Sequence, residues 1–169
     1  MKTLFKFFKS DRSGFTLMEL VITIALLVIS VGVTSDIILT LVRSYTKNQI
    51  ATEVEQSANF VLLKLEKELR SGGSVTGGGT TMTFLDSANV SHTYSLNGTV
   101  MQRDGAELTQ STGIGAVSVS CPANACFTIT SASGIQSVAL NIIFSQPTLA
   151  GQSSITYTIR NTIVPRGNY

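Results

Sequence analysis

An α+β fold, one long N-terminal α-helix packed on a C-terminal antiparallel β-sheet, is what the sequence predicts. Three observations carry it. An apolar run extends from Phe15 to Val33, apolar residues recur at spacings of three and four from Ile50 to Leu69, and after residue 80 the chain shifts to short alternating runs rich in threonine, serine, valine and isoleucine.

The first run contains one charge, Glu19, and three hydroxyls, Thr16, Thr23 and Ser30. It has about the 20 residues that cross a bilayer as a helix. No small-x-small cleavage site follows it closely, which argues against a secretory signal. The helical pattern then continues: Ile50, Val54, Ala58, Val61, Leu65 and Leu69 fall on one face, while Glu53, Glu55, Lys64, Glu66, Lys67 and Arg70 occupy other positions. A single helix from Phe15 to Arg70 would be roughly 80 Å long, its first half facing lipid and its amphipathic second half covering a sheet. Gly32 is its one intrinsic weak point, at about 1 kcal/mol relative to alanine.

Ser71-Gly72-Gly73 and Gly77-Gly78-Gly79 end the helix. They lack the Gly-Lys-Ser/Thr ending and the preceding strand of a phosphate loop, so they are expected to form a flexible helix-to-sheet connection. Strands are predicted over 81–86, 90–96, 99–103, 117–120, 126–130, 138–145 and 155–164. Asn97-Gly98 reads as a type I′ hairpin turn, and 147–153 as the loop joining the last two strands. One antiparallel sheet covered by the amphipathic helix is the expected layer pair.

The net charge of +2 is unevenly divided. Residues 1–14 hold Lys2, Lys6, Lys9 and Arg12 against Asp11, a balance of +3, which leaves the rest of the chain at −1. Positive charge immediately before an apolar span is retained in the cytoplasm, so the C-terminal part is expected to be exported. The basicity therefore reports topology and gives no sign of nucleic acid. Within this segment Lys2, Lys6 and Lys9 share one helical face and Phe5 and Phe8 another, a pattern suited to a membrane surface. An unstructured basic tail is the open alternative.

Cys121 and Cys126 bracket Pro-Ala-Asn-Ala in the part expected to reach an oxidising compartment, where a disulfide is favoured over two free thiols. Their spacing is not that of a C-x-x-C redox motif, and two cysteines with one histidine do not make a zinc tetrahedron. Neither a metal site nor a cofactor is expected. His92, the sole histidine, has no acidic partner or nucleophile marked by a local motif and reads as a structural or surface residue, not a catalytic one. No Gly-x-Ser-x-Gly elbow is present, and the chain is not expected to be an enzyme. Asn89-Val90-Ser91 and Asn97-Gly98-Thr99 fit the N-glycosylation pattern, but turn chemistry accounts for both asparagines.

The informative segment is Ser13-Gly14-Phe15-Thr16-Leu17-Met18-Glu19-Leu20. A carboxylate within hydrocarbon costs a few kcal/mol, so something must compensate for Glu19. Cleavage between Gly14 and Phe15 would create an α-ammonium four residues before it, on the same helical face or on a neighbouring subunit.

Joined to the basic leader and the apolar helix, Gly14-Phe15-Thr16-Leu17-Met18-Glu19 resembles the cleavage and methylation motif of type IV pilins and type II secretion pseudopilins. The resemblance implies cutting after Gly14 by a prepilin peptidase, N-methylation of Phe15, and an assembly salt bridge made by Glu19. It divides the chain into a leader, 1–14, a transmembrane and assembly helix, 15–35, an amphipathic helix, 36–70, and a β-rich head, 71–169. Glu66-Lys67-Glu68-Leu69-Arg70 and the run from Tyr94 to Arg103 resemble the minor pseudopilin J and minor pilin W group. The absence of a proline in 33–40, where major pilins commonly carry one, also points to a minor subunit.

The implied partners are the prepilin peptidase, other pilins or pseudopilins, an inner-membrane assembly platform and membrane lipid. The implied location is the inner membrane, single-pass with the head outside the cytoplasm, and then the pilus or pseudopilus. A tip-exposed binding module, an adhesin or a DNA or exoprotein receptor, is the alternative. Arg103, Arg160 and Arg166 are too few to mark a basic patch on the head.

Overall fold

The computed structural model describes residues 14–110, 116–132, 134–146 and 154–166. The expectations for residues 1–13 and for the 147–153 loop lie outside the described residues. Two compact units are present, Met1–Ser44 and Tyr45–Tyr169, and helix α1, Leu17–Ser71, contributes to both.

In the first unit every described residue is exposed, including large apolar side chains such as Phe15, Leu26 and Ile38. This stretch includes the segment long and apolar enough to cross a membrane. Its hydroxyls are returned to the helix: Thr23 donates to the Leu20 carbonyl, Ser30 to Leu26, Thr34 to Ser30 and Ser35 to Val31, at 2.7–2.9 Å. Each of these hydroxyls is thus satisfied without water, as an apolar solvent requires. No proline falls between Leu17 and Ser71, and the helix continues through Gly32.

In the second unit α1 buries Val54, Ala58, Val61, Leu65 and Leu69, with Ile50 half-buried beside them. This is the face that the three-and-four spacing selects. Fully burying a side chain of the size of leucine or valine contributes about 1.5–3 kcal/mol. The helix packs into a core formed with Phe84, Tyr94, Phe127 and Phe144 from the strands. At its end the Ser71 hydroxyl donates to the carbonyls of Lys67 and Glu68, and Gly73 N–H donates to the Leu85 carbonyl at 2.8 Å. Gly72 is held close: a Cβ there would lie 2.7 Å from the Leu85 carbonyl oxygen.

The strands are β1 (Val75–Gly78), β2 (Thr81–Leu85), β3 (Ser91–Asn97), β4 (Val100–Arg103), β5 (Ala106–Glu107), β6 (Ser118–Ser120), β7 (Phe127–Ala132), β8 (Ile135–Gln146) and β9 (Ile155–Ile163). All pairings between them are antiparallel, so the α+β class is as the sequence predicts.

Three local expectations are corrected. The strands form two sheets: β1 to β5 in sequence order, and a second in which β8 is flanked by β6 and β7 on one side and β9 on the other. They join where Gly79 and Phe127 exchange N–H···O bonds of 2.9 and 3.0 Å.

The glycine segment is not a free loop, because Gly77 pairs with Met82 and Gly78 with Thr81. Composition argues against a strand there, but cross-strand pairing prevails. Gly77, at φ +99° and with room for a Cβ only 2.8 Å from the Thr81 carbonyl oxygen, is required by the geometry.

The hairpin turn is Gly98-Thr99, one residue later than predicted. Asn97 pairs with Val100, and of the two loop residues Gly98 alone has positive φ, the pattern of a II′ turn.

Cys121 and Cys126 are joined by a disulfide with Cα atoms 4.9 Å apart, enclosing a turn at Pro122–Asn124. A loop this short contributes about 2 kcal/mol on the chain-entropy account, so it pins a turn and leaves the core to the apolar contacts.

Candidate functional site

The helix start is set by Thr16. Glu19 N–H donates to the Thr16 carbonyl at 3.1 Å and to its hydroxyl at 3.3 Å, and Leu20 N–H donates to the same carbonyl at 3.2 Å. Thr16 is therefore the N-cap and Glu19 the third helical residue, the spacing of a capping box. Thr16-Leu17-Met18-Glu19 carries that signature in the sequence, where it overlaps the cleavage and methylation motif. The carboxylate also sits in the first turn, where the helix dipole favours negative charge by about 0.3–1 kcal/mol at exposed positions. Among the described residues it accepts no hydrogen bond and makes no ion pair.

Phe15, 72% exposed, lies just outside the cap, and Gly14 before it is exposed and outside the helix. A Cβ on Gly14 would meet nothing within 4 Å. The junction is thus an exposed, non-helical peptide abutting a capped helix.

Residues 9–35 match the family model of the prokaryotic N-terminal methylation motif. The chain carries a prokaryotic N-terminal methylation motif. The methylation motif spans Gly14, Phe15 and Glu19 and runs into the apolar helix, which fits a membrane-anchored, single-pass protein. It supports the pilin and pseudopilin resemblance without distinguishing a member. No curated protein and no solved structure matches the chain.

A second polar cluster lies in the Tyr45–Tyr169 unit. Tyr94, fully buried, donates its phenol proton to Glu68 Oε2 at 2.7 Å, and Arg103 Nε donates to the same oxygen at 2.9 Å. Burial, aided by the Glu68 carboxylate, pushes the Tyr94 phenol far up, so it remains a donor. This network fixes α1 to β3 and β4.

Beyond it, His92 Nδ1 lies 2.7 Å from Asp104 Oδ2, and His92 Nε2 lies 3.3 Å from Asp86 Oδ2. His92 therefore has two acidic partners that no local motif marks. They stand six residues before it and twelve after it and meet it only through strand pairing. Asp104 also accepts from Thr93 N–H, and Asp86 accepts from Ala88 and Val90 N–H groups. The arrangement ties a turn to the strands and contains no nucleophile. Among the described residues no cluster of metal-ligating side chains occurs.

The hydrogen bond to Asp104 is the main cause holding the His92 pKa above its usual value, against burial and the charge of Arg103. The Asp86 carboxyl is held down chiefly by the Val90 N–H. Asp104 is also lowered: burial opposes this, but Thr93 N–H and His92 outweigh it. A raised histidine contributes stability that is complete below about pH 6.5 and lost as pH rises through its folded pKa. The lowered aspartates contribute stability present above about pH 4 and lost as pH falls through their folded values. Urea midpoints of the chain are thus expected to be highest between about pH 4 and 6.5 and to decline modestly towards pH 8. His92→Gln should flatten the alkaline decline; an unchanged slope would show that His92 does not cause it.

Proposed function

We propose that the chain is a minor pilin or pseudopilin, a structural subunit of a type IV pilus or type II secretion pseudopilus. In this reading a prepilin peptidase cuts between Gly14 and Phe15 and methylates the new Phe15 amine. The apolar helix holds the subunit in the inner membrane, with the head outside the cytoplasm, until an assembly platform passes it to other pilins or pseudopilins. Glu19 then pairs with the Phe15 ammonium of a neighbour, where low dielectric strengthens the attraction. The carrying observation is the methylation motif placed at the start of a capped helix whose apolar first half is exposed.

The exposed, non-helical Gly14-Phe15 peptide supports processing, because a membrane-embedded protease must reach the backbone it cuts. Mass spectrometry of membrane-purified protein from cells with an active prepilin peptidase should give an N-terminus at methylated Phe15. Gly14→Val should reduce processing to a trace, since the junction needs a small residue. Recovery of an intact leader in the unmodified protein would defeat the proposal. The alternative, a tip-exposed binding module, is favoured by one observation, the open strand edge of the second sheet.

A further inference from the structure

We infer that the free edge of β9, with the basic groove at its C-terminal end, docks an extended peptide segment carrying acidic residues. This goes beyond the subunit assignment and does not depend on it.

Among the described residues β9 pairs only with β8. The direction of its backbone groups follows from the register. Asn141 N–H donates to the Cys126 carbonyl, on the β7 side, so the odd-numbered residues of β8 face β7 and β6 and the even-numbered ones face β9. Leu140 pairs with Asn161 and Ile142 with Ile159, so the odd-numbered residues of β9 bond to β8. Thr156, Thr158, Arg160 and Thr162 therefore direct N–H and C=O groups to the open side. Thr162 gives independent support: its N–H donates to the Asn161 side chain at 2.8 Å and not to β8. That bond closes the edge at Thr162 and leaves Thr156, Thr158 and Arg160 available.

Folded proteins usually blunt such edges with proline, lysine or a bulge. Here the pairing runs unbroken from Ile155 to Ile163, with neither proline nor lysine, and Thr156, Thr158 and Arg160 are exposed. An added strand would gain main-chain hydrogen bonds and contact alternate side chains.

The groove supplies the charge preference. A cavity of about 680 Å³ is lined by Lys67, Arg70 and Ser71 of α1 and by Thr162, Val164 and Arg166. Arg70 is shared with Glu66, at 2.6 Å, whereas Lys67 and Arg166 make no ion pair with a described residue. Helix and strand together thus build a positive site that the three head arginines alone did not reveal. Thr162 belongs to both the edge and the cavity. A segment paired with Thr156, Thr158 and Arg160 would bring its end towards Lys67, Arg70 and Arg166, where carboxylates complement the charge.

The test uses the full chain in zwitterionic detergent micelles and a fluorescent peptide of alternating threonine and valine ending in three glutamates. Binding should be saturable, weaken with salt, and slow hydrogen exchange at the Thr158 and Arg160 amides. Lys67→Glu with Arg166→Glu, both at exposed positions, should weaken it at least about tenfold. N-methylation of alternate peptide amides in the pairing register should abolish it.

Absence of binding at millimolar peptide would overturn the inference. Equal binding of the N-methylated peptide would exclude strand pairing, and equal binding of a lysine-ended peptide would exclude the acidic preference. Concentration-dependent protection of Thr158 and Arg160 without peptide would assign the edge to a second copy instead, and likewise overturn it.

Discussion

Glu19→Gln is expected to leave the folded C-terminal unit and membrane insertion intact while reducing incorporation into a filament by two orders of magnitude or more. The substitution keeps the side-chain volume and removes the charge. In the proposed assembly it leaves a neighbour's Phe15 ammonium unpaired in an apolar setting, a loss of about 3–5 kcal/mol for breaking one partner of a buried pair. Monomer insertion should become easier, because a carboxylate no longer enters hydrocarbon. The C-terminal unit should be indifferent, since the side chain belongs to the first unit and is not one of the core residues of the second.

The measurement is co-purification or crosslinking with partner pilins, with Phe15 processing and urea stability followed in the same variant. Undiminished partner recovery and filament function would show that the carboxylate is not the assembly contact. The apolar helix would then act as an anchor alone.

Leu65→Ala should destabilise the Tyr45–Tyr169 unit by about 2–5 kcal/mol, read as a lower urea midpoint with little change in slope. Leu65 is fully buried in the core shared with the strands, and truncation removes methyl groups and leaves a cavity that close-packed neighbours cannot readily fill. Leu63→Ala is the control. Two residues earlier on the same helix, Leu63 is 65% exposed, and its truncation should cost no more than about 0.5 kcal/mol. Equal effects would show that this helix face does not cover the sheets. Neither substitution should change processing at Phe15, so a defect there would mean that the fold of the second unit controls access to the junction.

The long helix and its buried face were legible because both rest on local periodicity. An apolar run of bilayer length needs no tertiary information, and Val54, Ala58, Val61, Leu65 and Leu69 announce their common face through spacings of three and four. The methylation motif was legible for a similar reason, since Gly14, Phe15 and Glu19 lie within six consecutive residues. The capping role of Thr16 was equally local, but its signature overlapped the motif and was masked by it.

Strand pairing was less visible. Val75–Gly78 has the composition of a loop and becomes a strand only because β2 lies beside it to exchange hydrogen bonds. The hairpin at Gly98-Thr99 shows the same dependence: Asn-Gly marked the turn, but pairing of Asn97 with Val100 fixed its register.

By itself, then, the sequence determined what is encoded over a few helical turns: the N-terminal methylation motif, the continuous helix, its two surfaces and the β-rich composition beyond it. Only the tertiary structure decided that the strands divide into two sheets, that His92 stands between Asp86 and Asp104, and that Lys67 and Arg70 converge with Arg166. The physical reason is range. Helical hydrogen bonds connect residues four apart with one period, whereas Gly79 with Phe127, His92 with its two aspartates and Lys67 with Arg166 are brought together across separations that no periodicity marks.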